Sequence, residues 1–319
     1  MILGDVARSQ PTAWSAPVDN PSRRARVVAT VRNERWVRAV RPHQWIKSGL
    51  VFAAPLAALR LGPGQICRLL LAALLACVAA SGTYLLNDAL DVTADRLHPV
   101  KRFRPIPAGE ISRSSAVVVA AALLVAAPLF GLLIFGNTTG LFLGAYVTLT
   151  VAYSTRLKRI AVVDVVVIAA GFVIRVLVGS AATSVSASPW FLVAVGAAAV
   201  MVATGKRRGE VHELGDSAAA HRASLTTYRN GLTSLLIIVA AVGLGTGLVG
   251  WATIGSGGPR LEERWAITLV LPALGGVSRY VRLALAGRAA RPETLVHDRM
   301  LLICSAFAVA LFLVGSAIS

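Results

Sequence analysis

From about residue 48 to the last residues, long apolar runs alternate with short polar stretches. Nine such runs lie at roughly 48–63, 67–87, 115–135, 139–155, 162–182, 189–205, 232–252, 265–284 and 300–318. Most approach the ~20 residues that a helix rising about 1.5 Å per residue needs to cross a hydrocarbon core of about 30 Å. In lipid each backbone N–H and C=O must be satisfied within its own segment, so the runs predict helices. The pattern is that of an all-α polytopic membrane protein, a bundle of nine transmembrane helices. The first run is short and contains Pro55, which makes it the least regular of the nine.

The polar stretches give the bundle a direction. Nearly all of the 32 Lys and Arg residues fall before Lys47 or in the stretches after the second, fourth, sixth and eighth runs. Only Arg60, Arg68, Arg260 and Arg264 lie on the other side, and Arg175 lies inside the fifth run. The positive-inside rule then puts the N-terminus and a polar cap in the cytoplasm and the C-terminus outside. An odd number of spans agrees with that assignment.

Composition fits the same reading. The chain is 56% hydrophobic with a mean hydropathy of +0.69, which excludes an ordinary soluble globule. Its net charge of +17 sits in short loops between spans, so nucleic acid is a poor partner for it. Anionic headgroups and phosphorylated substrates are better ones. Cys67, Cys77 and Cys304 lie in or beside apolar runs without ligand spacing and read as small hydrophobes. Residues 1–40 form a separate basic arm ahead of a catalytic domain over 41–319. The start Met1-Ile-Leu-Gly-Asp5 lacks a basic stretch leading into an apolar core, so a signal peptide is not expected. Residues 1–21 have the Pro/Ser/Ala-rich composition of a segment without a packed core. Residues 22–41 suit either an amphipathic helix on an anionic leaflet or a loose basic arm.

The candidate chemistry begins where the second run ends, at Asn87-Asp88-Ala-Leu-Asp91-Val-Thr-Ala-Asp95. Continuous helix would put positions 87, 91 and 95 on one face with Asp88 beside them. Stacked carboxylates repel unless a cation neutralises them, and hard oxygen donors beside water suit Mg2+. A solvated acidic helix end is the plainer alternative. The next residues are His98, Lys101, Arg102 and Arg104, and a cation site flanked by Lys and Arg suits a diphosphate. A second polar group follows the sixth run, Lys206-Arg207-Arg208-Gly209-Glu210, which could clamp a phosphate or serve topology alone. The only four lysines, Lys47, Lys101, Lys158 and Lys206, each fall in a polar segment at a span end. Arg175, near Asp164 in sequence, is a functional candidate as an ionisable group within a span, or else part of a structural pair.

These residues resemble a known family. Asn87-Asp88-x-x-Asp91-x-x-x-Asp95 is similar to the first aspartate-rich motif of the UbiA-type intramembrane prenyltransferases, and the likeness extends over about residues 40–318. Members usually carry a second aspartate-rich motif after span six, where this chain has Lys206-Arg207-Arg208-x-Glu210. Five stretches accompany this departure: Arg41-Pro-His-Gln44-Trp45-Ile-Lys47, the acidic motif, Tyr153-Ser-Thr-Arg156-Leu-Lys158, Gly171-Phe-Val-Ile-Arg175 and the Lys206 cluster itself. Together they resemble the branch that transfers phosphoribose. That resemblance implies phosphoribosyl pyrophosphate as donor, decaprenyl phosphate (a polyprenyl phosphate) as acceptor, Mg2+ as cofactor, and a product that feeds cell-wall arabinan.

The resemblance also implies roles. Asn87, Asp88, Asp91 and Asp95 would hold the metal, with Asp88, Asp91 and Lys47 as catalytic candidates. Gln44, Lys101, Arg102, Arg104, Tyr153, Arg156, Lys158, Arg175, Lys206, Arg207, Arg208 and Glu210 would bind substrate. Membrane lipids are expected partners, as is a second subunit in a homo-oligomer, while nucleic acid is not. Two other functions are open on sequence: a prenyltransferase with a prenyl diphosphate donor and aromatic acceptor, and a flippase for phosphorylated lipids. A flippase would need polar groups through the bilayer, whereas here charge gathers on one side.

Overall fold

The small-residue content of the apolar runs decides how the helices meet. In α3 (Pro63–Leu90), Ala72, Ala76, Ala79 and Ala80 are buried, while Leu70, Leu71 and Leu74 face outward. In α5 (Arg113–Phe135), Ala116, Ala120 and Ala127 are buried and Val118, Val125 and Leu133 are exposed. Small side chains inside and large aliphatic ones outside is the arrangement of helices packed in lipid, where close backbone approach drives association. Gly82 makes the approach of α3 to α5 closest, since a Cβ there would lie 2.9 Å from the Leu124 side chain and 3.1 Å from the Ala120 carbonyl oxygen.

The computed structural model describes residues 34–214, 231–254, 263–290, 295 and 297–318. Its other helices are α1 (34–40), α2 (Ala53–Ala57), α4 (Val92–Leu97), α6 (Asn137–Thr155), α7 (Val163–Thr183), α8 (Pro189–Leu214), α9 (Leu232–Ile254), α10 (Glu263–Leu285) and α11 (Arg299–Ile318). No strand occurs among the described residues. Five helices, α3, α5, α7, α8 and α9, are long and apolar enough to cross a membrane. Helices consecutive in sequence pack as neighbours, and α7 lies centrally, touching α3, α6, α8 and the segment before α2.

That segment differs from the helical first span of the sequence reading. Pro42–Phe52 is an 11-residue 3-10 helix that leads directly into the five residues of α2. Its 3-10 turns rise about 2.0 Å per residue and α2 about 1.5 Å, so the two together cover roughly 30 Å. A stretched helix thus lets a short run reach across the same depth as its longer neighbours. It lies against α7 at Gly179, where a Cβ would fall 1.7 Å from the Val51 carbonyl oxygen. Val51 shares a core with Leu69, Leu143 and Val178.

Residues 1–33 of the basic arm lie outside the described residues, as do Arg222 and Arg229. Helix α1 belongs to the body of the protein. Ala39 is buried with Leu85, Ile106 and Ile111, Arg35 donates to the Glu110 carbonyl at 2.8 Å, and Arg38 pairs with the Glu110 carboxylate.

Candidate active site

Helix α3 ends at Leu90, and the bend at Asp91 changes the geometry of the acidic motif. Backbone bonds from Asp91 N–H to the Asn87 carbonyl (2.9 Å) and from Asp95 N–H to the Asp91 carbonyl (2.8 Å) keep the path nearly helical. Asp91 itself sits at φ −95° and ψ 9°, which turns α4 away from the axis of α3. The single face expected of positions 87, 91 and 95 is therefore replaced by two pairs. Asn87 and Asp91 share Lys158, whose Nζ donates to Asn87 Oδ1 at 3.3 Å and to the Asp91 carboxylate at 2.6 and 2.7 Å. Asp88 and Asp95 share Arg104, whose Nη1 lies 3.0 and 2.9 Å from them.

Arg41 completes the second pair from the other side. Its Nη2 donates to both oxygens of Asp88 at 2.5 and 2.6 Å, and its guanidinium lies 5.0 Å above the Tyr84 ring. Asp88 is 1% exposed and Asp95 4%, so their charge is tolerable only because it is matched at hydrogen-bond distance. Arg41 holds this position with φ 55°, immediately before Pro42. A non-glycine residue in that left-handed region costs of order 1–3 kcal/mol, and such outliers concentrate at functional sites. Lys101 stands further out, its Nζ 3.8 Å from Asp95. The loop that delivers Lys101 and Arg104 is closed by His98, whose Nδ1 accepts from the N–H groups of Val100 and Lys101, and by Arg96 donating to the Pro107 carbonyl.

The cluster after the sixth run divides by residue. Arg207 is buried, with Nε 2.9 Å from Asp164 and Nη1 2.8 Å from Glu210. Asp164 is in the first turn of α7, entered through a tight turn at Val162 (φ 66°) in which Val163 N–H bonds the Ala161 carbonyl at 2.8 Å. Arg208 binds the Leu285 carbonyl and the hydroxyls of Thr233 and Ser234, fastening α8 to the ends of α9 and α10. Arg207 and Arg208 therefore tie helices together, while Lys206 between Gly205 and Arg207 is exposed. Tyr153 lies within electrostatic reach of Arg207, and Lys158, shortly after it in the chain, holds Asp91. The end of α6 thus links the two constellations.

Arg175 is buried in α7. It donates to Tyr146 Oη (2.7 Å) and the Gly171 carbonyl (3.1 Å) and lies 4.6 Å from the Tyr146 ring centre and 5.5 Å from that of Phe172. Its Nε has no hydrogen-bond partner among the described residues. Asp164, its neighbour in sequence, pairs with Arg207 instead. Gln44 is half-buried and Lys47 exposed on the 3-10 segment, whose Trp45 donates to Ser81 on α3 at 3.1 Å. Arg102 stacks 4.7 Å over Phe103, and Arg156 is exposed where α6 ends. Arg41, Tyr84, Tyr146 and Asp164 were absent from the sequence assignment of the site. Tyr84 is one turn before Asp88 on α3, a spacing that shares a helix face.

The donors of the acidic motif are all oxygens, as Mg2+ prefers. Among the described residues, no three His, Cys, Asp or Glu side chains come together as a ligand set. The oxygens of Asn87 and Asp91 are instead already arranged around one positive charge, the Lys158 ammonium. Asn87 Oδ1 and the Asp91 carboxylate converge on one point as hard oxygen donors, the donor type that Mg2+ takes.

Known proteins resemble this chain in both sequence and fold. The chain is 33% identical over 277 residues to the decaprenyl-phosphate phosphoribosyltransferase of Mycolicibacterium smegmatis, covering 83% of this chain and 87% of that protein. It is 35% identical over 273 residues to the Mycobacterium tuberculosis enzyme of the same name, covering 83% and 88%. Its fold matches a UbiA homologue from Archaeoglobus fulgidus bound to DMAPP and Mg2+, with a TM-score of 0.67 over 89% of this chain and all of that one, at 15% identity. The sequence model of the UbiA prenyltransferase family matches residues 49–303, which include the acidic motif, the Lys158 segment and the Lys206 cluster, and this integral membrane protein belongs to that family.

Proposed function

We propose that the protein transfers the 5-phosphoribosyl group of phosphoribosyl pyrophosphate to decaprenyl phosphate, releasing pyrophosphate and forming decaprenylphosphoryl-5-phosphoribose. The observation that carries this reading is the meeting of Arg41, Arg104 and Lys158 on the carboxylates of Asp88, Asp91 and Asp95. Three chain segments bring cations to one acidic patch, which suits a substrate rich in phosphate. The names of the mycobacterial relatives support the same acceptor and the same transferred group.

In this reading Asn87, Asp88, Asp91 and Asp95 would hold Mg2+, which would supply positive charge to offset that developing on the leaving pyrophosphate. Arg41, Arg104 and Lys158 bind pyrophosphate oxygens, and Lys101 draws the donor in from the rim. Lys206 and Arg156, both exposed, take the 5-phosphate, while Arg207, Glu210 and Arg208 hold the helix ends that present them. Tyr153 lies between the two sets. The acceptor phosphate is a monoester with a second pKa near 6, so it is already a nucleophile at neutral pH and no general base is needed. Its direct attack on the anomeric carbon inverts that centre. Gln44 and Lys47 on the 3-10 segment, with Arg175 deeper in the bundle, receive the acceptor phosphate in this reading while the prenyl tail stays in lipid.

The nine apolar segments then cross the inner membrane, the charged end faces the cytoplasm and the C-terminus lies outside. Residues 41–319 form the catalytic unit, and the preceding arm contacts the membrane surface. The test uses purified protein in detergent with Mg2+, labelled phosphoribosyl pyrophosphate and decaprenyl phosphate. A labelled, inverted lipid product supports the reading. No such product, with transfer from a prenyl diphosphate to an aromatic acceptor instead, overturns it.

A further inference from the structure

We propose that the groove between α9 and α10 binds one anionic glycerophospholipid, with its phosphate on Arg282 and Ser278 and an acyl chain along the apolar lining. The site serves a bilayer lipid and takes no part in the transfer itself.

The two helices close on one another where Gly245 meets Leu274, since a Cβ on Gly245 would lie 3.3 Å from the Leu274 side chain. From that contact toward the end of α10 they leave an open groove of about 420 Å³, with Ala241 on α9 and Val277 on α10 in its lining. From Leu274 to Arg282 it follows about 12 Å of helix. The lining is apolar throughout except for Ser278 and Arg282, both exposed. These two are spaced by four on α10 and share one helix face, so a hydroxyl and a guanidinium stand together at the end of an apolar slot.

Charge complementarity identifies the occupant. Arg279, one turn earlier, is matched by Asp298 at 2.8 Å. Arg282 is not: its Nη2 has the Met300 sulfur at 3.9 Å, and among the described residues it pairs with no carboxylate. Arg299, beside Met300 at the start of α11, is exposed and likewise pairs with no carboxylate among the described residues. Arg208 binds the Leu285 carbonyl, so α10 ends where α8 ends, and the pairs Arg207–Asp164 and Lys158–Asp91 put that end of the bundle with the acidic motif. Unmatched guanidinium thus stands at the charged end of the spans, where a phosphate bound to hydrocarbon can reach it, and basic pockets between spanning helices suit such head groups. A choline head group would bring a further cation against Arg282 and Arg299, which favours an anionic lipid. A polyprenyl phosphate must present its phosphate to the acidic motif to react, whereas α3 is not among the packing neighbours of α9 and α10.

The experiment counts retained lipid by native mass spectrometry on the full chain, freed of lipid in detergent and then given phosphatidylglycerol, phosphatidylcholine or decaprenyl phosphate. Wild type should retain one phosphatidylglycerol about fivefold more strongly than phosphatidylcholine, the effect of roughly one basic residue on an anionic head group. Decaprenyl phosphate at equal concentration should not displace it. Arg282→Gln should lose the preference while keeping the wild-type melting temperature and the wild-type rate of transfer in detergent with phosphatidylcholine. Equal retention of the two phospholipids by wild type, an arm that needs no variant, would leave Arg282 as a cation turned to water and overturn the site. A preference that survives in Arg282→Gln would place the lipid elsewhere and overturn it too. Displacement of phosphatidylglycerol by decaprenyl phosphate would make the groove an acceptor site and overturn the choice of a bilayer lipid.

Discussion

Asp164 and Arg207, 43 residues apart, meet at 2.9 Å, and the Asp164 side chain is completely buried. One stands in the first turn of α7 and the other near the end of α8, so the ion pair fixes how these helices end. Removing one partner leaves a charge in low dielectric without its match, which typically costs about 3–5 kcal/mol. Arg207→Ala and Asp164→Asn should each lower the melting temperature of the purified protein sharply. Double replacement by Met and Leu should cost less than the two single changes together. Additive losses in a double-mutant cycle would count against the pair.

Lys206 is adjacent in sequence but differs in consequence. It is exposed, so Lys206→Ala should leave the melting temperature unchanged while raising the KM for phosphoribosyl pyrophosphate. Loss of one charged hydrogen bond is worth about 1.5–3 kcal/mol, or roughly 10- to 100-fold. An unchanged KM would leave Lys206 with a topological role only.

Asp88→Ala and Asp91→Ala should each abolish transfer, measured as labelled lipid product, while the protein still inserts in the membrane. Their stabilities should differ. Asp88 is buried under two arginines, Arg41 and Arg104, whereas Asp91 is partly exposed and holds one lysine. Asp88→Ala should therefore melt at a lower temperature than Asp91→Ala. Normal turnover by both variants would remove the metal assignment.

Much of this site is readable along the chain because it depends on local composition. The run of Asn87, Asp88, Asp91 and Asp95, the lysines at span ends and the Lys206 cluster are all visible as polar interruptions in apolar sequence. The partnerships are less visible. The i, i+4 spacing of 87, 91 and 95 assumes an unbroken helix, and the bend at Asp91 has no Gly or Pro to announce it. Arg41 and Asp164 are paired over long separations that periodicity cannot report. Arg207 and Lys206 look equivalent in sequence, and only packing against α7 divides them. The 3-10 path of Pro42–Phe52 is equally hidden, since its apolar residues would suit an α-helix as well.

Gly179→Ala tests that path. The added Cβ would collide with the backbone oxygen of Val51, which has no flexible side chain to yield. Overpacking of this kind usually costs about 1–3 kcal/mol, and the 3-10 segment would have to move from α7. The variant should lose melting temperature and turnover together, because Gln44 and Lys47 move with the segment. Full activity at wild-type stability would contradict the close approach.

Asp298 gives a prediction in pH. Hydrogen bonds from Arg279 on α10, then from the Leu301 N–H in the first turn of α11, hold its carboxyl below the usual carboxylate range. A depressed folded pKa contributes stability above the unfolded value of about 3.9, and that contribution disappears as pH falls through the folded value. Asp298→Asn should therefore melt below wild type at pH 7, and the gap should close as pH drops below about 4. A gap independent of pH would assign the effect to packing alone.

A segment that covers about 30 Å with sixteen residues has no slack. Arg41 anchors its start on Asp88, and Val51, near the end of the 3-10 part, is pinned against the backbone of Gly179. Inserting or deleting a single residue between them would shift the register by about 2 Å and turn the 3-10 helix by a third of a turn. Either change would turn Gln44 and Lys47 toward a different side of the segment. Point substitutions on the outward side of this stretch are open to drift, but its length is not.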